Sequence, residues 1–393
     1  MKKFFLYTQL IIYFPIILVV ILISPFIKIR FFPLITNRIG HLSEDINLIL
    51  SKKKREKNLT IDIAFLQYNS ICNKSFYDEF VKKNFLVLPK FIVEPLYKLF
   101  FKLSNKFNFF ENFLTYKRVN KKGGWQNFND NDNNFKLSEK IINRGNKFLK
   151  EHQIDPEKIV CINIWNAEHL KNLDWSHHSH RNGKFSNYLL TINYLISKGY
   201  TVIKIGRSNN IVNINNKKFI DYSYNLFEDS LDLFLISKCI FYISNSTGLD
   251  HLAFSLNKPM LINTPTIHDF FVERKNIVYL LRPYFSRKLN RELNVDEIIE
   301  KKLSFKLKSY DFEEQEVKIN DNSPDEILLA CKDLLYLIDK EFVLTSEKLD
   351  MSNKFWKKYL KAKSLHKIDY DYYKQKPIKS YYSWSNIALK KIL

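Results

Sequence analysis

The stretch ISNSTGLDHLAFSLNKPMLIN, Ile243 to Asn263, decides how the second half of this chain is read. An apolar run gives way to Ser-Asn-Ser-Thr-Gly. Next come Leu249, Leu252, Ala253 and Leu256, spaced as one face of a helix, and after Lys258-Pro259 a second apolar run begins. Strand, turn, helix and strand in that order make a βα unit. The turn has two readings. Thr247-Gly-Leu-Asp250 fits the Ser/Thr-x-x-Asp/Glu capping box, so the turn can simply start a helix. It can also hold an anion: Ser244, Ser246 and Thr247 place three hydroxyls beside backbone N–H groups at a positive helix end, and Gly248 lets a ligand approach the backbone. A diphosphate suits such a place.

The surroundings extend the unit into a series. Upstream, IVCINIW (Ile159 to Trp165) reads as a strand, FSNYLLTINYLISKG (Phe185 to Gly199) as a helix with Gly199 at its C-cap, and YTVIKIG (Tyr200 to Gly206) as a strand. The strand FIDYSY, the helix DSLDLFLISK (Asp229 to Lys238) and the strand CIFYIS lead to the turn, and KPMLINT (Lys258 to Thr264) is the next strand. These strands are continuous apolar runs, as expected of a parallel sheet covered on both faces. The predicted architecture is doubly wound α/β, and such sheets bind ligands beyond the C-terminal ends of their strands, where this turn lies.

The N-terminal half repeats the logic less clearly. FFPLITNRIGHLSEDINLIL predicts a short strand, a turn at Asn37 to His41 and a helix capped by Ser43. TIDIAFLQY (Thr60 to Tyr68) and NFLVLPK (Asn84 to Lys90) predict strands followed by helices. KKGGWQNFNDNDNNFK, Lys121 to Lys136, is a linker by composition, rich in Gly, Asn and Asp. The expected division is an anchor over 1–30, an α/β domain over 31–135, a second α/β domain over 136–345, and a basic, aromatic helical tail over 346–393.

From Phe4 to Ile27 only Thr8, Gln9 and Ser24 are polar, long enough for a helix to cross a hydrocarbon core of roughly 30 Å. Lys2, Lys3, Lys28 and Arg30 flank it on both sides and Pro15 interrupts it. An N-terminal membrane helix, spanning or lying in the interface on the cytoplasmic side, is therefore expected. No small-residue cleavage site follows it. The 62 Lys and Arg against 41 Asp and Glu give a net charge of +21, which suits an anionic membrane surface. Because the lysines are spread along the chain and no nucleic-acid-binding pattern appears, nucleic acid is not expected as a partner. The four cysteines, Cys72, Cys161, Cys239 and Cys331, are far apart, so neither a disulfide framework nor a zinc site is expected.

With Gly248, His251, Lys258 and Pro259 at fixed offsets, the opening stretch resembles the donor-site signature of GT-B glycosyltransferases, in particular heptosyltransferase-like enzymes. RIGHL (Arg38 to Leu42) is similar to the first turn of a GT-B N-terminal domain. YLISKGYTVIKIGR and DLFLISKCIFYISNSTGLD resemble bacterial glycosyltransferases of surface-polysaccharide clusters. The likeness covers roughly Ile29 to Leu50 and Val160 to Thr264. It implies a GT-B-like α/β fold, two Rossmann-like domains facing a cleft, that needs no metal or cofactor beyond its nucleotide-diphosphate sugar substrate.

Site residues follow from that likeness. Ser244, Asn245, Ser246, Thr247, Gly248 and His251 are expected at the donor, and His41 as the base that deprotonates the acceptor hydroxyl, the bland alternative being a helix-entry hydrogen bond. Fucosyltransferase-like donor domains end their first strand in H-x-R, whereas this chain reads Asn163-Ile164-Trp165. Arg181 and Arg207 are the substitutes, each on a loop where a guanidinium can clamp phosphate, or else a solvated surface arginine. His177 to His180 lack a carboxylate to complete a metal site. The expected function is transfer of a sugar to an acceptor hydroxyl of a saccharide or lipid-linked acceptor, in cell-surface polysaccharide or glycolipid synthesis at the cytoplasmic face of the inner membrane. A non-catalytic GT-B-fold scaffold and a nucleotide-sugar epimerase are the competing readings.

Overall fold

The computed structural model describes residues 2–56, 58–115, 134–166, 176–208, 211–265, 277–303, 306 and 308–339, with a few positions between 346 and 358. Most of the expected linker and of the basic tail lies outside them. The chain divides into two compact units, Met1–Ser138 and Glu139–Leu393, each described by itself.

In the first unit, helix α1 (Lys2–Ile23) precedes strand β1 (Ile27–Leu34), helix α2 (Ile39–Arg55) and strand β2 (Leu59–Leu66). The helical turn α3 (Lys74–Phe76), the two-residue strand β3 (Leu86–Val87) and helix α4 (Lys90–Ser104) follow. The three strands form one parallel sheet in the order β1-β2-β3. Alternate strand residues split by chemistry. Phe31 and Phe65 pack into a core with Val93, Leu96 and Phe100 of α4, and Phe100 stacks on Phe31 with ring centroids 5.5 Å apart. The neighbouring positions Arg30 and Asp62, partners in register, make a buried bidentate ion pair at 2.7 and 3.0 Å. Glu56 and Thr115 complete that network at 2.7 and 3.1 Å, so the desolvated charges are hydrogen-bonded.

Two expectations need correcting here. Among the described residues no helix is long and apolar enough to cross a membrane, which overturns the expected N-terminal membrane helix. Part of the apolar run in α1 serves the unit's own core instead: Ile17 and Val20 are buried with the α4 residues, which hydropathy alone does not distinguish from burial in lipid. Helix α2 also begins at Ile39, with Arg38 as N-cap, four residues before the expected start. Ser43 is not a cap, because its hydroxyl donates back to the Ile39 carbonyl at 2.8 Å from within the helix.

The second unit opens with helix α5 (Glu139–Glu151), strand β4 (Ile159–Asn163), helix α6 (Leu189–Ser197), and strands β5 (Thr201–Lys204) and β6 (Phe219–Asp221). Helix α7 (Asp229–Lys238), strand β7 (Phe241–Ser244), helix α8 (Leu249–Ser255), and strands β8 (Met260–Thr264) and β9 (Ile277–Leu281) continue the series. All six strands are parallel, in the order β6-β5-β4-β7-β8-β9. Their apolar runs are buried in all but the edge strand β6, where Ile220 is half-buried, and Val160, Ile162, Tyr242 and Leu261 are at 0% exposure. Gly199 closes the α6 segment at φ 92°, the left-handed C-cap expected of it.

The last part of the unit adds strands β10 (Tyr284–Ser286) and β11 (Arg291–Glu292), helices α9 (Val295–Glu300) and α10 (Ser309–Glu313), strand β12 (Val317–Ile319) and helix α11 (Pro324–Ile338). The three strands form a small antiparallel sheet in the order β11-β10-β12. Helix α11 packs on α6, β8 and β9, while α5 and α8 pack on α7, the two layers of a doubly wound sheet.

Candidate functional site

In the strand order, the chain runs outward from β4 through β5 to β6 and then returns to β7, leaving β8 and β9 on the other side. The reversal falls between β4 and β7. That is the switch point at which open α/β sheets leave a crevice outside their carboxyl ends. Two segments meet there, Asn163 to Trp165 after β4 and Asn245 to Gly248 after β7.

Asn245 ties them together. Its Oδ1 accepts from the Trp165 N–H at 2.6 Å, and its Nδ2 donates to the Trp165 carbonyl at 2.9 Å and to the Arg181 carbonyl at 3.0 Å. Gly183, whose own N–H donates to the Trp165 carbonyl at 3.0 Å, lies so close that an added Cβ would sit 2.4 Å from Asn245 Nδ2. Asn245, only 1% exposed, therefore positions the loops rather than presenting its amide to a ligand.

Thr247 is similarly committed to the interior. Its hydroxyl donates to Asp250 Oδ1 at 2.7 Å, stands 3.1 Å from the Tyr242 hydroxyl, and accepts from Asn163 Nδ2 at 3.2 Å. Its backbone N–H donates to Asp250 Oδ2 at 2.8 Å. The second half of the predicted capping box is thus present, with Gly248 as the N-cap of α8. Burial raises the Asp250 carboxyl to about 6, and the hydrogen bonds from Thr247 offset part of that rise.

Ser246 and Gly248 have a different character. Ser246 holds a left-handed backbone, φ 70°, a conformation that costs free energy for a residue with a side chain and that clusters at functional turns. Its hydroxyl is buried without a hydrogen-bond partner. The neighbouring Gly248 is exposed at φ −64°, ψ −31°, where any residue is comfortable, so backbone conformation does not require a glycine there.

Of the two arginines proposed for phosphate, the structure brings one to the turn. Arg181 donates through Nη2 to the Ser246 carbonyl, and its guanidinium lies 5.6 Å from the ring centroid of Trp165, the residue standing where the resemblance would place an arginine. Arg207 is largely exposed, bonded to Asp229 at 3.1 Å and stacked 4.4 Å over Phe227. His251 is in the first turn of α8 and partly exposed. His41 lies in the first turn of α2, in the first unit. Ser244 ends β7 and is fully buried. His180 turns its Nδ1 to the Ser309 hydroxyl at 3.0 Å, and among the described residues no group of three or more His, Cys, Asp or Glu is placed to hold a metal ion.

Sequence reasoning missed Asn163, Gly183 and Tyr242, whose importance comes from partners far along the chain. It also took Lys258 only as part of a motif. Its Nζ donates to the Cys239 carbonyl at 2.9 Å, and the Pro259 carbonyl accepts from the Tyr242 N–H at 2.9 Å, so the Lys-Pro pair stitches β8 to the end of α7 and to β7.

A parallel sheet with a switch-point turn and a second α/β unit define the class of fold. No family model and no curated protein matches the chain. Among solved structures it is similar to the glycosyl transferase family 9 protein from Veillonella parvula DSM 2008, at TM-score 0.50 and 11% identity, over 79% of this chain and 97% of that one. The E. coli ADP-heptose lps heptosyltransferase II follows at TM-score 0.38 and 12% identity, over 62% and 87% of the two chains. E. coli heptosyltransferase WaaC with ADP-2-deoxy-2-fluoro heptose matches at TM-score 0.33 and 11% identity, over 65% and 94%. The first of these carries the conclusion that the chain has the α/β fold of a family 9 glycosyltransferase structure.

Proposed function

We propose that this chain is a glycosyltransferase that moves a sugar from a nucleotide-diphosphate donor to an acceptor hydroxyl in cell-surface polysaccharide or glycolipid synthesis. The observation that carries this reading is the turn after β7, where an exposed Gly248 with no conformational need for glycine sits beside the strained Ser246 at the switch point. A diphosphate approaching there meets open backbone and the nearby Arg181 guanidinium, which would oppose the negative charge that builds on the leaving group. Thr247 and Asn245 serve this site by holding its shape.

His41 is assigned to the acceptor, as the base that takes its hydroxyl proton. The net charge of +21 supports an anionic surface as a further partner and work at the cytoplasmic face of the inner membrane, where a lipid-linked acceptor would be presented. Purified full-length protein incubated with single nucleotide-diphosphate sugars and a mixed saccharide acceptor pool should release nucleoside diphosphate with one donor. Binding without release would point to a scaffold, and neither binding nor release would remove the assignment.

A further inference from the structure

Another concave feature of the second unit lies where the end of β9, the strand β12 and the start of α11 come together, a pocket of about 700 Å³. Its wall carries charges of both signs: Lys184, Arg282 and Lys318 with Glu292, Asp321 and Glu326. Amides fill the spaces between them, and only Pro283 and Ile319 are apolar. Three carboxylates among the three cations, Asp321 paired with Arg282, discourage an anion such as phosphate, and the scarcity of apolar surface discourages a hydrophobic ligand. Interleaved donors and acceptors match sugar hydroxyls, each of which both donates and accepts.

Two deeply buried wall residues have polar capacity left over. Arg282, 3% exposed, spends Nη1 on the His180 carbonyl at 2.9 Å and Nη2 on the Asn182 carbonyl at 2.8 Å, and pairs with Asp321. Its Nε has no partner. Asn322, 0% exposed, donates Nδ2 to the Leu281 carbonyl at 3.2 Å and leaves Oδ1 without a partner. Both atoms are closed to solvent and belong to the wall itself, while Lys184, Lys318, Asn320 and Glu326, exposed or half-buried, line the pocket with polar groups a ligand can reach.

We propose that this pocket binds a neutral saccharide, at a site separate from the turn after β7. The carbonyls that Arg282 holds, those of His180 and Asn182, flank Arg181, which reaches the Ser246 carbonyl, so the pocket and the turn share the segment between them. Saccharide binding here does not depend on the donor assignment, and its test uses no nucleotide.

Saturation-transfer NMR on the full chain, with a panel of neutral di- and trisaccharides and inorganic phosphate as competitor, tests the proposal. At least one sugar should bind saturably, lose affinity tenfold or more in Asn320→Ala or Lys318→Ala, and resist displacement by phosphate. Both variants should melt like the parent. No saturable sugar binding, equal affinity in both variants, or displacement by phosphate would each overturn it.

Discussion

Asn245 grips the backbone of Trp165 from both sides, accepting from its N–H at 2.6 Å and donating to its carbonyl at 2.9 Å. Eighty residues of sequence separate the two, and the side-chain amide stands in for a strand neighbour that the loop lacks. Asn245→Ala should strand one N–H and weaken the hold on two carbonyls, costing about 2–4 kcal/mol in a urea titration. Asn245→Asp, which sets a buried carboxylate oxygen against the Trp165 and Arg181 carbonyls, should cost at least as much as alanine. A parent-like midpoint for the alanine variant would contradict the positioning role.

Gly183 depends on the same contact. In Gly183→Ala the new methyl would stand 2.4 Å from Asn245 Nδ2 and 3.0 Å from Ile164 Cγ2, both in packed surroundings. The expected loss is about 1–3 kcal/mol, as for other overpacked sites. Because the methyl displaces Asn245, combining the two substitutions should cost less than their sum in a double-mutant cycle.

Arg181 and Arg207 separate a positioned cation from an exposed one. Arg181→Ala should weaken nucleoside diphosphate binding by about 1.5–3 kcal/mol, the range for hydrogen bonds to charged groups, and Arg181→Lys should recover only part of it. Arg207→Ala, which loses an exposed pair with Asp229, should change affinity little. Calorimetric titration of both variants reads the difference, and equal losses would move the phosphate contact away from Arg181.

Asp232 predicts a pH effect on stability. Burial raises its carboxyl to about 8, with repulsion from Asp229 adding to the rise and Arg207 offsetting part of it. The folded state then keeps a proton that the unfolded chain, titrating near about 4, has already lost. Stability should therefore fall as pH rises from about 4 to about 8. Asp232→Asn, neutral throughout, should flatten the slope of the urea midpoint between pH 5 and pH 8; an unchanged slope would show that Asp232 is ionised in the fold.

The second unit was the more legible one because parallel strands covered on both faces need unbroken apolar runs, and α7 has the bounds its sequence suggests, Asp229–Lys238. In the first unit the alternating chemistry of β1 and β2 reflects a buried ion pair, Arg30 with Asp62, which reads in sequence as ordinary surface polarity. The start of α2 was misplaced because a serine bonded back inside a helix looks the same in sequence as a serine capping one. At the turn, sequence identified the segment after β7 but could not show which of its side chains turn inward. Thr247 turns inward because Asn163 and Tyr242 are there to meet it, and only the folded sheet brings β4 beside β7.

Gly248→Val tests the central assignment most directly. The backbone at φ −64°, ψ −31° accepts valine and the position is exposed, so the variant should unfold within about 0.5 kcal/mol of the parent. The branched side chain would stand where a diphosphate approaches. Calorimetric titration of both proteins with nucleoside diphosphates should therefore show binding to the parent and a loss of at least about 100-fold in the variant, near 2.7 kcal/mol. Equal affinity in the two folded proteins would mean that the turn merely starts a helix, and the diphosphate site would have to lie elsewhere.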